Sequence, residues 1–247
     1  MPRLSVILIT KNEAENIRAC LESVSWADEI IVVDSGSSDG TAGIAREFTS
    51  HVYQHDWPGF GAQKNRALSY ATGDWVFSID ADERVTPELK AELMEAMGQA
   101  RADGFYCPRL SQFCGRFIRH CGWYPDYVLR LFKRTQGKFS DSLVHESLLL
   151  QGSSARLTRP LLHYSYRTSD DVRRKVEQYS AAAAQQMFNR GKNATPLDAP
   201  LRAAWAFFRT YCLWLGVLDG WAGFAVARMN AATTYLKYQR LRAMRQT

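Results

Sequence analysis

Trp75-Val76-Phe77-Ser78-Ile79-Asp80-Ala81-Asp82 is an apolar run that ends in two carboxylates one residue apart. A short apolar run bounded by polar residues reads as a buried strand, which puts the aspartates at its mouth. Carboxylates so placed can hold a divalent cation, and the cation can hold a diphosphate. A lone D-x-D carries little weight, because capping aspartates produce it often. Its weight comes from the three segments before it. Residues 4–10, 29–33 and, more weakly, 51–54 are short runs with β-branched residues, each followed by a polar loop. Helical stretches are predicted between them at 16–24, 41–48 and 62–71. This alternation predicts a parallel α/β sheet flanked by helices, with right-handed crossovers and ligands at the carboxyl ends of the strands. Three polar clusters fall at those ends, at 11–15, 34–41 and 80–83.

Beyond Asp82 the pattern changes. Thr86-Pro87-Glu88 reads as a helix start, with Thr86 as N-cap and Pro87 in the first turn, leading to a helix that ends near residue 99. Residues 105–164 read as short strands and loops rich in aromatics and arginine. A helix is predicted at 169–189, and residues 193–200, with two prolines, read as a linker. We therefore expect a catalytic α/β domain at 1–190 and a helical C-terminal region at 201–247.

With 247 residues, 46% of them hydrophobic, the chain can bury one sizeable core and carry an appendage. The five cysteines are odd in number and lack zinc-type spacing, which favours reduced thiols in a cytosolic protein. The first apolar run is too short for a secretory signal, so no export is expected. Residues 201–247 carry seven basic side chains against Asp219 alone, and they account for the whole net charge of +6. The neutral first 200 residues offer no stripe for tracking nucleic acid. Residues 201–227 are apolar around most of a helical circumference, but only nine uncharged residues separate Arg209 from Asp219. That is far short of the roughly twenty residues of a spanning helix. A helical hairpin broken near Asp219-Gly220 and lying in a membrane interface suits the composition, its arginines meeting anionic lipid. A helical subdomain packed on the core is the alternative.

Candidate binding residues cluster at the strand ends. Asp34 heads a small-residue loop and can accept hydrogen bonds from a nucleobase or ribose, while an Asx-rich turn is the plainer reading of the same residues. Thr10 and Glu13 end the neighbouring strand. In residues 57–66 a glycine loop containing Gly61 leads into a helix whose first N–H groups, with Lys64, favour phosphate. Arg66 reads equally as a solvated cation. Trp123, Asp126, Arg130 and the nearby Arg116, Arg119 and Arg134 suit an acceptor site, because aromatic faces stack on sugars and guanidinium forks bind carboxylate or phosphate.

Taken together, Ser5 through Glu13, Ile31 through Thr41 and Asp80-Ala81-Asp82-Glu83 resemble the family 2 inverting glycosyltransferases of the GT-A fold. Gly59-Phe60-Gly61-Ala62-Gln63-Lys64-Asn65, Arg130-Leu131-Phe132 and Val144-His145-Glu146 are similar to the lipopolysaccharide inner-core glucosyltransferase subgroup, as is the tail containing Tyr211, Gly216, Asp219-Gly220, Gly223 and Lys237-Tyr238. The resemblance implies transfer of a hexose, glucose foremost, from a nucleotide-sugar donor, UDP-linked foremost, to an inner-core sugar at the cytoplasmic face of the bacterial inner membrane. It implies a divalent metal, Mn2+ or Mg2+, held by Asp82, with His163 as a further candidate ligand or a core histidine, and Asp80 on the ribose. It implies Glu146 as the base, with Asp126 and Asp141 as rivals, because His145-Glu146 stands where many members carry Glu-Asp. His145 then orients Glu146, completes the metal shell, contacts the acceptor or simply packs. Polyprenyl phosphate or another glycolipid is the alternative acceptor. A sugar-phosphate nucleotidyltransferase would need a glycine-rich loop where residues 11–15 stand, and a non-catalytic lipid-binding scaffold would not need the ordered acidic clusters.

Overall fold

The computed structural model describes residues 2–140 and 147–245. By contacts the chain divides into two units, residues 1–109 with 126–163, and residues 110–125 with 164–247. The helix expected at 169–189 falls in the second unit.

In the first unit the predicted strands are β1 (Leu4–Thr10), β2 (Glu29–Asp34), β3 (Val52–Gln54) and β4 (Trp75–Asp80). They form the parallel half of a mixed sheet in the order β3-β2-β1-β4. Leu4, Val6 and Leu8 face one layer, where Ile17 and Leu21 of α1 (Ala14–Val24) and Leu89 and Leu93 of α4 (Pro87–Gln99) cover them. Ile7, Ile31, Val33 and Val76 face the other layer, with Ala67 of α3 (Phe60–Tyr70). Burial on both faces is why these strands read as continuous apolar runs. The α2 helix (Thr41–Arg46) is shorter than predicted. Thr86 caps α4 as expected, accepting the Leu89 N–H at 3.1 Å.

The stretch without periodicity supplies the antiparallel half. Here β5 (Glu83–Val85) follows β4 directly, and β6 (Gly104–Phe113) is longer than the short strands expected. In the second unit, β7 (Arg116–Phe117) pairs with the end of β6. In the first unit, β8 (Asp126–Lys133) pairs with β4 on one side and with β6 on the other. The strands β9 (Gly137–Phe139) and β10 (Leu148–Leu150) make a separate ladder, and β11 (Ser154–Arg156) joins β6. Strand β12 (Leu161–Tyr166) runs antiparallel to β5 and sets His163 opposite Glu83.

The second unit is mainly helical. The α5 helix (Ser169–Asn189) has the predicted limits and starts from a capping box between Thr168 and Asp171. The linker expected at 193–200 lies at 190–197, since α6 (Asp198–Phe208) already includes Pro200 in its first turn, where a missing N–H costs nothing. A π-helical turn at Arg209–Leu213, a left-handed Leu215 and a 3₁₀ turn at Gly216–Asp219 then lead into α7 (Gly220–Met244). Among the described residues no single helix is long and apolar enough to cross a membrane, although the pair 198–213 and 216–244, bent by 72°, has the length and composition of a span when taken together.

Candidate active site

Parallel register gathers the strand ends. Thr10 pairs with Asp34 and Ile9 with Asp80, so three carboxyl termini share one sheet edge. A cavity of 470 Å³ opens there, lined by residues 9–13, by Trp57 and Phe60, and by Asp80, Ala81 and Asp82. Thr10 and Glu13 are thus in the cavity wall. The Thr10 hydroxyl is buried with no hydrogen-bond partner among the described residues. Trp57 and Phe60, half-exposed rings meeting edge to face at 4.7 Å, form a rim that sequence reasoning missed. Their signal was an aromatic pair flanking the Gly59 turn, which no core pattern required.

Asp34 is placed differently. It is 1% exposed and accepts the N–H groups of Gly36 at 3.0 Å and Ser37 at 2.9 Å, together with the Ser37 hydroxyl. Its carboxylate therefore holds its own turn and is absent from the cavity lining, in keeping with the Asx-turn alternative. Gly61 is buried in the first turn of α3, and Arg66 pairs with Asp56 at the surface.

The aspartates of the D-x-D have separate surroundings. Asp80 lies 3.3 Å from Lys64 Nζ and accepts a hydrogen bond of 2.5 Å from Arg130. Burial alone would push its carboxyl up, but the two cations outweigh it and hold the group well below the usual carboxylate range. Asp82 is 31% exposed and lies 3.2 Å from His163 Nε2. The register explains that meeting, because pairing His163 with Glu83 brings the imidazole beside the preceding residue. Burial raises the Asp82 carboxyl and the His163 hydrogen bond lowers it, with a net fall. His163 is therefore a neighbour of the D-x-D and not a histidine packed into the apolar core.

Arg130 is not on an open face. It is 4% exposed and bonds both Asp80 and Glu83 at 2.5 Å. Glu83 is fully buried, and burial raises its carboxyl above the ordinary range despite Arg130. Arg109 continues the series, 3.7 Å from Glu83 and donating from Nη2 at 2.6 Å and Nε at 3.0 Å to one carboxylate oxygen of Asp126. Asp126, Arg109, Glu83, Arg130, Asp80 and Lys64 thus form one line of alternating charge. Lys64, expected to face phosphate, is 7% exposed in its side chain and closes this line. A second cavity of 300 Å³ lies along it, lined also by Tyr106, Tyr127 and Ser147. Trp123 belongs to the second unit, stacked on Tyr166 at 5.4 Å. Asp141, His145 and Glu146 lie outside the described residues.

The cavity at the parallel strand ends, with Asp82 in its wall and His163 beside Asp82, lies where open α/β sheets bind their ligands. Residues 5–154 match the profile described as Glycosyl transferase family 2, and the chain belongs to that family. LpsC of Rhizobium meliloti, a lipopolysaccharide core biosynthesis glycosyltransferase, is 30% identical over 255 residues, which cover 95% of this chain and 93% of that protein. A glycosyltransferase of Rickettsia felis is 27% identical over 98% of this chain and 90% of its own length. Among solved structures, the mannosyltransferase PcManGT from Pyrobaculum calidifontis in complex with GDP-Man and Mn2+ aligns with a TM-score of 0.54. It is 16% identical, over 95% of this chain and 87% of that one. TarS 1-349 of S. aureus in complex with UDP-GlcNAc gives a TM-score of 0.51 at 14% identity, over 99% and 92%. The fold is GT-A.

Proposed function

We propose that this chain is an inverting, metal-assisted glycosyltransferase that moves a hexose, glucose foremost, from a UDP-sugar to an inner-core sugar of lipopolysaccharide. The observation that carries this reading is the cavity at residues 9–13 with Asp82 and His163 at its edge. The length and coverage of the LpsC match support the core acceptor over a polyprenyl phosphate.

Asp82 and His163 fit a divalent cation, Mn2+ or Mg2+, as a carboxylate and imidazole pair beside a space large enough for diphosphate oxygens. Among the described residues no group of three or more protein ligands gathers. When bound, such an ion stabilises the departing diphosphate. Asp80 has a different task. Tied to Lys64 and Arg130, it fixes the turn that presents Asp82. Trp57 and Phe60 offer faces for the nucleobase. Glu146 is assigned the acceptor proton, ahead of Asp126, whose carboxylate is engaged by Arg109.

The protein is further assigned to the cytoplasmic face of the bacterial inner membrane, where such an acceptor is held. Supporting this, Trp205, Phe208, Leu213, Leu215, Leu218 and Trp221 are each at least 47% exposed along the bend from α6 to α7. Arg209 stands beside them, its guanidinium 4.3 Å from the Trp214 ring centre. An apolar surface edged by cations matches a membrane interface.

The test is turnover of a panel of nucleotide sugars by the full-length chain, with truncated lipopolysaccharide as acceptor and with Mn2+ present or chelated. UDP-glucose is expected to react only with metal, giving a product of inverted anomeric configuration by NMR. Asp82→Asn is expected to abolish metal-dependent turnover while retaining the fold by circular dichroism. Turnover undiminished by chelation and by Asp82→Asn would sink the metal assignment, and a retained anomer would sink inversion.

A further inference from the structure

The second unit contains a cavity of 580 Å³ that the transfer reaction does not use. Its walls are two helical stripes. Val172, Arg173 and Val176 line it from α5, and Trp221, Ala225, Arg228, Met229 and Ala232 from α7, with Phe113 and Cys114 at its base. Both sets follow helical spacing, so one face of each helix looks into the space. Apolar stripes facing each other ordinarily close into a core. Ala225 and Ala232, where larger side chains would fill the gap, leave this one open, with a size in the usual range for ligand sites.

The chemistry of the groove is mixed in one particular way. Its length is apolar, and each wall carries one guanidinium, Arg173 and Arg228. Arg116 stands by Trp221, its guanidinium 5.9 Å from the ring. Among the described residues neither Arg116 nor Arg228 lies within ion-pair distance of a carboxylate, and Arg173 has only Asp170 at 3.9 Å, both strongly exposed. The other acids of α5 are engaged, Asp171 with Arg174 and Glu177 with Arg240. Trp221 lines the groove and is also 52% exposed, so the groove is continuous with the apolar surface at the bend. A hydrocarbon chain suits the walls, a phosphate suits the arginines, and a lipid layer is the phase that adjoins such an opening.

We propose that the groove between α5 and α7 binds one anionic phospholipid of the bilayer, its acyl chain along the apolar walls and its phosphate between Arg173 and Arg228. This rests on the membrane-surface reading above. The lipid would pin the second unit to the surface by one specific contact in addition to the diffuse adhesion of the apolar bend.

The test uses the full-length chain mixed with dioleoyl-phosphatidylcholine, with or without dioleoyl-phosphatidylglycerol, as vesicles and as detergent micelles. Retained lipid is counted by native mass spectrometry after dilution into detergent, and vesicle adhesion is followed by co-sedimentation. One phosphatidylglycerol per chain is expected, with no retained phosphatidylcholine. Arg228→Gln should weaken retention at least about tenfold, the loss of one charge-assisted hydrogen bond. Ala232→Trp, at an exposed position that fills the end of the groove, should do the same while co-sedimentation persists through the apolar bend. Retention equal to wild type in both variants would overturn the proposal, as would equal retention of phosphatidylcholine or equal affinity for inorganic phosphate alone. If the wild type retains phosphatidylglycerol from micelles but never sediments with vesicles, the membrane reading falls and the groove stands.

Discussion

Arg130 bridges two neighbouring carboxylates, Glu83 fully buried and Asp80 partly exposed at the cavity, that would otherwise repel each other. Its guanidinium lies between Asp80 and Glu83, with Lys64 on the far side of Asp80 and Arg109 on the far side of Glu83. Removing one member of a buried pair leaves an uncompensated charge, which typically costs 3–5 kcal/mol. Arg130→Met is expected to lower stability by about 3 kcal/mol in urea unfolding, the low end of that range, because Glu83 is already biased toward protonation. Arg130→Lys should recover part of the loss, since an ammonium restores the charge that the single nitrogen Nη2 brings to both acids. Asp103 offers a test by pH. Hydrogen bonds from Lys133 and from the Ser153 N–H and hydroxyl, each 2.9 Å long, hold its carboxyl at about 2 against an ordinary 3.8. A depressed carboxyl stabilises fully above its unfolded value, and the contribution fades as pH falls from about 4 toward 2. Asp103→Asn should therefore be less stable than wild type at neutral pH, and the gap should narrow at about pH 3 in urea melts. A gap independent of pH would mean that the charge of Asp103 is not what the fold uses.

Strand pairing explains what could be read from the chain and what could not. The parallel half was legible because β1, β2 and β4 are buried on both faces and show as unbroken apolar runs, and Thr86-Pro87 marked the start of α4 by local chemistry alone. The D-x-D and the Thr10 and Glu13 wall followed from that order. The antiparallel half was not legible. Arg130 meets Asp80 across 50 residues, and His163 reaches Asp82 only because β12 returns beside β5 in one register. A shift of one residue would turn the imidazole to the other face, and no local pattern encodes that choice. The same holds for the bend between α6 and α7, where composition marked Asp219-Gly220 but the contact that shapes it lies elsewhere. A Cβ on Gly223 would stand 1.8 Å from the Gly216 carbonyl oxygen, and one on Gly216 would stand 2.7 Å from that of Thr210. Only glycine allows backbones to approach so closely. Gly223→Ala should lose about 2 kcal/mol by overpacking, read as a lower urea midpoint with an unchanged slope. A wild-type midpoint would show that the turn yields freely.

Charge and apolar surface are unevenly shared along the chain, and this bears on where the protein works. The net charge of +6 resides in residues 201–247, and the same stretch carries most of the large exposed apolar side chains. A soluble helical subdomain would be expected to bury Leu213, Leu215 and Leu218, yet each is at least half exposed in the second unit. Nor is the bend merely loose chain. Asp219 ties it down by accepting the N–H groups of Arg119 at 3.2 Å and His120 at 2.9 Å, and the Trp214 ring packs over Gly122. A rigid apolar projection loses little conformational entropy when it enters an interface, so its burial is retained as binding free energy. Two substitutions separate the contributions. Leu215→Asp with Leu218→Asp should remove co-sedimentation with phosphatidylglycerol vesicles at every ionic strength, because burial of apolar area is not screened. Arg209→Gln should weaken it about fivefold at low salt, the equivalent of roughly 1 kcal/mol per basic residue at an anionic surface. That difference should vanish as salt rises and the Debye length shortens to about 3 Å at 1 M. Co-sedimentation unaffected by the paired aspartates would assign the exposed apolar surface to a protein partner or a second copy of the chain instead of a membrane.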